Sequence, residues 1–154
     1  MKKLILGLAC FSALTFTSCE KDSDDTKTKT EMITSHGWTM TGLDVEPGID
    51  MFVDGTWLPV TDVFLQMNDC SKDNEVIFNA NGTLIEETNS KCHPAEPATY
   101  TGTWSFNSDE TRLVLNTDES IDYKLELLDD NNLVVSYTEN DEGVNVEFTM
   151  EFSK

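Results

Sequence analysis

The chain has 154 residues, and its 29 Asp and Glu residues outnumber its 10 Lys and Arg residues, which gives a formal net charge of −19 at pH 7. The first 18 residues hold two lysines and no acid, so the chain without them carries −21. Such a polyanion is repelled by nucleic-acid phosphates and by anionic lipid headgroups. We therefore expect neither nucleic acid nor an anionic lipid surface as a partner.

Residues 1–18 have the pattern of a cleaved signal peptide. Lys2 and Lys3 precede an apolar run over residues 4–16, which is too short to span a bilayer as a permanent helix. The run ends in Ser18-Cys19, which resembles the lipobox of bacterial lipoproteins although Phe16 stands where Leu is commonest. We expect cleavage before Cys19 and lipid on its thiol, with ordinary secretion as the alternative.

Residues 19–30 are polar and contain no aromatic side chain, so they predict a flexible tether. The acidic run after Cys19 resembles the export signal that places Bacteroidota-type lipoproteins on the outer face of the outer membrane. This pattern predicts an outer-membrane, lipid-anchored protein exposed at the cell surface. The alternative is a solvated spacer on a lipoprotein that faces the periplasm.

Two of the four cysteines remain after cleavage and lipidation, because Cys10 leaves with the signal peptide and Cys19 takes the lipid. Cys70 and Cys92 then form an even pair in an oxidising compartment, which favours a disulfide. A catalytic or zinc-binding thiol is the alternative, since His93 follows Cys92. No CxxC spacing supports it, and His36 is far away in sequence.

Beyond about residue 36 the apolar residues recur with the period of two that is typical of strands. The clearest alternation covers residues 144–152, and similar runs cover 100–107, 121–127 and 133–137. Each run predicts a strand with one buried face and one exposed face. The first strand is expected over residues 38–45.

Turn signals separate these runs at short spacing. Asn81-Gly82 is the strongest hairpin signal, and polar turns follow at 107–110, 129–132 and 140–143. About eight or nine strands joined by hairpins predict an all-β fold, a single antiparallel up-and-down β-barrel, because closure removes exposed edges. The barrel domain is expected over residues 31–154. A helical turn at 31–35, with Thr30 as its N-cap, is expected at the barrel base.

Several ordered segments resemble the lipocalin-like domain of Bacteroidota lipoproteins. They are Trp38, Cys70-Ser71-Lys72-Asp73-Asn74, Phe78-Asn79-Ala80-Asn81-Gly82-Thr83, Lys91-Cys92, Gly102-Thr103-Trp104-Ser105-Phe106 and Leu113-Val114-Leu115. The resemblance covers about residues 33–152 and implies an eight-stranded lipocalin-like barrel with Cys70 and Cys92 bridged. It implies little about activity, which is largely undefined in that family. Residues 46–67 depart from the pattern, and their conformation stays open.

The sequence does not predict an enzyme. Adjacent acids such as Glu86-Glu87 point to opposite faces of a strand, and nothing selects an inward pair for acid–base chemistry. His36 and His93 are the only histidines, and no Gly-x-Ser-x-Gly, EF-hand or phosphate-binding glycine pattern occurs. We expect no catalytic residue, no metal site and no cofactor.

The three tryptophans are the candidate ligand contacts. Trp38 and Trp104 lie on predicted strands, where they pack in the core or line the floor of a cavity. Trp57 follows the Asp54-Gly55 turn and is a candidate exposed contact for a sugar, a lipid or a protein. The leading hypothesis is an exported binding module for a small apolar ligand. The alternative is a filled barrel that serves as an accessory subunit of a surface protein complex.

Overall fold

The computed structural model describes residues 26–141 and 143–154. The helices are α1 (Lys29–Ile33) and α2 (Asp69–Lys72), with a 3-10 turn at Phe64–Gln66 before α2. The strands are β1 (Trp38–Val53), β2 (Thr56–Asp62), β3 (Glu75–Phe78), β4 (Thr83–Glu87), β5 (Thr99–Phe106), β6 (Arg112–Asn116), β7 (Ser120–Leu128), β8 (Asn132–Asp141) and β9 (Val144–Ser153). Within these described residues, no helix combines the length and apolar character needed to cross a bilayer.

Eight of these strands close into an antiparallel barrel. Strands β3 to β9 pair in sequence order, β1 pairs with β3, and β9 pairs back with β1. β2 is the extra strand, which lies outside the ring and pairs with β1. The predicted all-β barrel with eight or nine strands is confirmed.

The core forms where the alternating strands turn their apolar faces inward. Leu113 on β6, Leu133 on β8 and Trp104 on β5 are buried, while their strand neighbours are more exposed. The rings of Phe78 and Phe106 meet Trp104 edge-on at centroid distances of 5.5 and 5.6 Å. The period of two in the sequence therefore corresponds to the inner and outer faces of the barrel.

Four predicted turns are confirmed as hairpin connections. Residues 79–82, 107–111 and 129–131 join β3 to β4, β5 to β6 and β7 to β8, and β8 ends at Asp141 paired with Val144, the first residue of β9. Gly82 has φ +84°, which favours glycine. The side-chain oxygen of Asn81 accepts a hydrogen bond from the Thr83 amide at 3.0 Å, as expected for an Asx-type turn.

Helix α1 lies at one end of the barrel, which we call the base. The indole N–H of Trp38 donates to the Ile33 carbonyl at 2.8 Å, and both residues are fully buried. Lys29 donates to the Glu110 carbonyl in the β5–β6 turn. The α1 segment thus plugs the base, and the opposite end, where β4–β5 and β8–β9 connect, is called the mouth.

The expected N-cap of this helix was wrong. Thr28, not Thr30, is the cap, and Lys29 and Thr30 belong to the helix. Thr28 and Glu31 form a capping box in which the Glu31 amide donates to Thr28 Oγ1 and the Thr28 amide donates to the Glu31 carboxylate. Those hydrogen bonds lower the pKa of Glu31. Thr30 has Ile33 three residues later, which lacks the side-chain oxygen that a capping box needs.

The expected end of the first strand at residue 45 was also wrong, because β1 continues to Val53. The pairing register with β2 jumps between Asp44 and Ile49, so the irregularity falls at Pro47 and lets the strand continue. β9 pairs with β1 only as far as Glu46. Residues 49–60 of β1 and β2 therefore pair with each other alone and project from the mouth side. We call them the ribbon.

Candidate functional site

A small apolar cavity lies inside the barrel, with a volume of about 60 Å³. Its nine lining side chains come from five strands and are hydrocarbon or aromatic, apart from the thioether of Met150 and the phenol oxygen of Tyr123. The lining residues are Val76, Phe78, Leu113, Leu115, Tyr123, Leu133, Val135, Met150 and Phe152. An apolar cavity of this kind stays dry and accepts apolar atoms.

Trp38 and Trp104 do not line the cavity. The indole N–H group of each donates a hydrogen bond to a backbone carbonyl at the barrel base. Trp38 donates to Ile33, and Trp104 donates to the Asn79 carbonyl at 2.9 Å. Both side chains are buried and belong to the same core cluster as Phe78. Their geometry fits packing beneath the cavity. Their expected contact with a ligand stays a prediction.

The barrel wall opens on the mouth side between β7 and β8. β7 pairs with β8 only from Lys124 onward, opposite Ser136. Over its first residues, β7 pairs with β6, while the end of β8 pairs with β9. The two strands therefore diverge, and the space between them is a cleft of about 470 Å³. The cleft is lined by Arg112, Glu119, Ser120, Ile121, Asp122, Lys124, Ser136, Tyr137, Thr138, Glu139 and Glu147.

Two tyrosines in contact link the lining of the cleft to the lining of the cavity. Tyr137 lines the cleft, and its ring meets Tyr123, which lines the cavity, edge-on at 5.4 Å. On its other side Tyr137 stacks on Phe148 at 4.9 Å, with the two rings 12° from parallel. Burial, with a smaller contribution from the nearby charges of Tyr137 and Glu139, raises the pKa of Tyr123 to about 12. Tyr123 is therefore a neutral phenol at physiological pH.

The charges around the cleft leave it anionic. Arg112 pairs with Asp122 at 2.8 Å, and Lys124 pairs with Glu126 at 2.7 Å. The hydrogen bonds from Lys124 and Ser136 lower the pKa of Glu126. Both cations of the cleft are thus neutralised by acids on the wall. The carboxylates of Glu119, Glu139 and Glu147 also line the cleft, and none of them takes part in an ion pair with another described residue.

The predicted disulfide is confirmed. Cys70 on α2 is bonded to Cys92 in the β4–β5 connection, with a Cα–Cα distance of 5.3 Å. The bond leaves neither sulfur as a free thiolate for zinc or for nucleophilic chemistry. His93 accepts a hydrogen bond from the Ala95 amide at 3.2 Å. Across the described ranges, no three His, Cys, Asp or Glu side chains converge as metal ligands do.

Trp57 lies on the ribbon, outside the cavity lining, and is 68% exposed. Its ring contacts Phe52, its partner across the ribbon, at 5.6 Å. The structure therefore separates the three tryptophans into two buried at the base and one on the surface. Cys19, the predicted lipidation site, lies outside the described residues.

The sequence did not reveal the cleft residues as a site. Tyr123 and Tyr137 fall within the predicted strands at 121–127 and 133–137, but Arg112, Glu139 and Glu147 are ordinary polar residues on alternating strands. These residues lie close together because β7 and β8 stop pairing at Lys124 and Ser136, and no local sequence motif indicates that position. The signal available in the sequence was the acidic run at residues 139–142.

A family model described as "Domain of unknown function (DUF5004)" matches residues 16–148. The chain belongs to the DUF5004 family. None of the curated proteins compared with the chain matches it. Among solved structures, this DUF5004 chain is similar to bovine odorant binding protein in complex with undecanal, at 14% identity and a TM-score of 0.46, covering 86% of this chain and 77% of that one. A deswapped triple mutant of the bovine protein is similar at 15% identity and a TM-score of 0.43, with 77% and 72% covered.

Proposed function

We propose that this DUF5004 protein is a non-catalytic binding module that takes one compact apolar ligand inside its barrel. The observation that carries the proposal is the apolar cavity at the centre of the closed barrel. Hydrophobic side chains from five strands surround it, and water gains no hydrogen-bond partners there beyond the Tyr123 phenol. An apolar ligand gains from leaving water without leaving a buried polar group unpaired.

The size of the cavity limits the ligand. Its 60 Å³ is less than half of the roughly 150 Å³ that accommodates benzene in an engineered protein core. A ligand larger than a few heavy atoms must therefore displace a lining side chain. Met150 is the side chain best suited to move, because an unbranched thioether changes rotamer at low cost and is only partly buried.

The cleft between β7 and β8 supplies the route to the cavity. Tyr137 in the cleft lining contacts Tyr123 in the cavity lining. The three carboxylates of the cleft that form no ion pair with a described residue favour a ligand with a neutral or cationic head group over one with a carboxylate. The ligand class that fits is a compact apolar molecule without negative charge.

We also propose that the protein acts at the cell envelope as a lipoprotein of the Bacteroidota type. Support comes from the signal-peptide pattern of residues 1–18, the lipobox-like Cys19 and the acidic tether over residues 19–30, followed by the barrel domain over 31–154. The location is the outer membrane, facing the cell surface, with a periplasmic orientation as the alternative. Cys19→Ala should move the protein from the membrane fraction to the soluble fraction. Unchanged membrane association would refute the anchor.

Ligand binding is tested with a matched pair of variants. Native mass spectrometry of the full protein should show a retained small mass, and an apolar fluorescent naphthylamine dye should bind and be displaced by compact hydrocarbons. Val76→Phe places a ring in the cavity and should abolish dye binding. Val114→Phe makes the same change on the adjacent outer wall and should preserve it, because Val114 lies between the inward-facing Leu113 and Leu115. Equal dye binding by both folded variants would refute the proposal.

A second candidate is a non-catalytic accessory subunit of a surface protein complex. It is favoured by the degree to which the interior is filled, since Trp38, Trp104 and Phe78 occupy the base and leave only the small cavity above them. If no ligand is retained and no dye binds to the wild-type protein, this candidate replaces the first.

A further inference from the structure

The ribbon exposes an apolar face that the barrel does not use. Phe52 and Trp57 lie opposite each other and are 63% and 68% exposed. Pro59, paired with Asp50, continues the same face two residues along. The Asp54-Gly55 turn has the two positive φ values of a tight hairpin, and the strands pair continuously from Ile49 to Val53, so the pairing register places the two rings side by side. Exposed aromatic residues held on a rigid support are the usual anchors of protein interfaces.

The negative charge around this face favours a partner surface that carries cations. Residues 30–71 contain seven acids and no Lys or Arg. Asp50 and Asp54 flank the rings directly, and neither is ion-paired within the described part of the chain. A surface of this kind complements an apolar groove bordered by cations, and it repels anionic lipid and nucleic acid.

A second copy of the chain is a poor occupant. Each copy carries a large negative charge, so two ribbons meet with like charges at the contact. Addition of a strand to the free edge of β2 is hindered by Pro59, which has no amide N–H to donate. The contact must therefore be made through the side chains of Phe52 and Trp57, not through backbone pairing.

We propose that the ribbon docks a partner protein through an apolar groove bordered by Lys and Arg, with Phe52 and Trp57 as the buried anchors. This interface does not depend on a ligand in the barrel, and it gives the second candidate function above a defined surface. The few side chains of the ribbon bury less area than a standard protein–protein interface. The contact is therefore transient, or other residues at the mouth extend it.

Photo-crosslinking of the full chain in the cells that produce it tests the proposal. A benzophenone amino acid at position 57 should cross-link to one protein, in a peptide whose apolar residues are flanked by Lys or Arg. The same probe at position 100 is the control, because Tyr100 is also exposed but lies on β5. The product should disappear with Phe52→Ser. It should fall at least several-fold with Asp50→Lys plus Asp54→Asn, in which Asn tolerates the left-handed backbone at position 54.

The remaining outcomes refute the proposal. A cross-link to a second copy would assign the ribbon to self-association, and a cross-link to lipid would assign it to the membrane. Equal products at positions 57 and 100, no product at 57, or a product that survives both variants would show that the aromatic face is not a docking site. The naphthylamine dye should bind these variants as it binds the wild type, so failure here is distinct from failure of ligand binding in the barrel.

Discussion

Removal of the disulfide should destabilise the barrel by about 3 kcal/mol without altering its native structure. Cys70 and Cys92 are separated by 22 residues, and in the chain-entropy model a closed loop of that length lowers the entropy of the unfolded chain by about 11 cal/mol/K, or about 3 kcal/mol at 25 °C. Cys92 is exposed and Cys70 half-buried, so truncation to alanine removes little packing. The expected cost is therefore almost entirely that of a less constrained unfolded state.

Other contacts should hold the β4–β5 connection in place when the bridge is absent. The Asn89 amide group donates to the Asp73 carbonyl at 2.6 Å, and the Ser90 amide donates to the Asp73 carboxylate at 3.3 Å. The double variant Cys70→Ala/Cys92→Ala should therefore keep the circular dichroism and amide spectra of the wild type. Its urea midpoint should fall, its m-value should rise because the unfolded chain is more expanded, and its Tm should drop by about 10 °C.

The control is Ser71→Ala, whose hydroxyl lies 3.3 Å from the Cys92 sulfur but closes no loop. It should shift the free energy of unfolding by less than about 0.5 kcal/mol. A loss below about 1 kcal/mol in the double variant, with the bridge verified as formed in the wild type, would refute the entropic argument. Collapse of the native spectra would show that the bridge holds the folded barrel itself.

Three further predictions concern the interior. The pKa of Tyr123 is about 12 in the folded protein and 10 in the unfolded chain, so its contribution to stability is fully present below pH 10 and is lost as the pH rises through 12. In urea unfolding at increasing pH, the free energy of unfolding of Tyr123→Phe should therefore fall by about 2–3 kcal/mol less than that of the wild type over this range. Trp38→Phe leaves the buried Ile33 carbonyl without its donor and should cost about 2 kcal/mol, whereas Trp57→Phe should cost less than about 0.5 kcal/mol. Leu113→Ala should cost about 2–5 kcal/mol and enlarge the cavity, detected as a larger rise in Tm with added benzene than the wild type shows.

Most of the barrel was predictable because its signals are local. The alternation in residues 144–152 and the Asn81-Gly82 turn each depend on only a few neighbouring residues. Once the strands are joined by hairpins, closure of the sheet into a barrel is the one further feature to predict. β1 was longer than predicted because Pro47 and Gly48 are turn signals in isolation. In the structure, β1 continues beyond Pro47 and Gly48 because it pairs with β2 on both sides of a register shift between Asp44 and Ile49.

The candidate site was less predictable, because volume and strand separation are properties of the assembled barrel. The cavity is the space left by nine side chains from five strands, and a single methylene group changes it. The cleft exists because, on the mouth side of Lys124, β7 pairs only with β6 and β8 pairs only with β9. No residue in either strand indicates this change of pairing. The N-cap was missed for a simpler reason: Thr28 and Thr30 are both plausible caps in the sequence, but only Thr28 has a Glu three residues later, and Thr30 lies inside the helix.

The position of α1 also determines how the barrel would stand on a membrane. The chain leaves the barrel at the base, where α1 packs, so a lipid on Cys19 would pull on the end that carries no cleft. The nine residue steps from Cys19 to the Thr28 cap reach roughly 30 Å when fully extended, about the diameter of a small domain. With the attachment on the base side, the cleft and the ribbon would lie at the other end of the barrel, where a ligand and a partner could approach at the same time from the side away from the lipid.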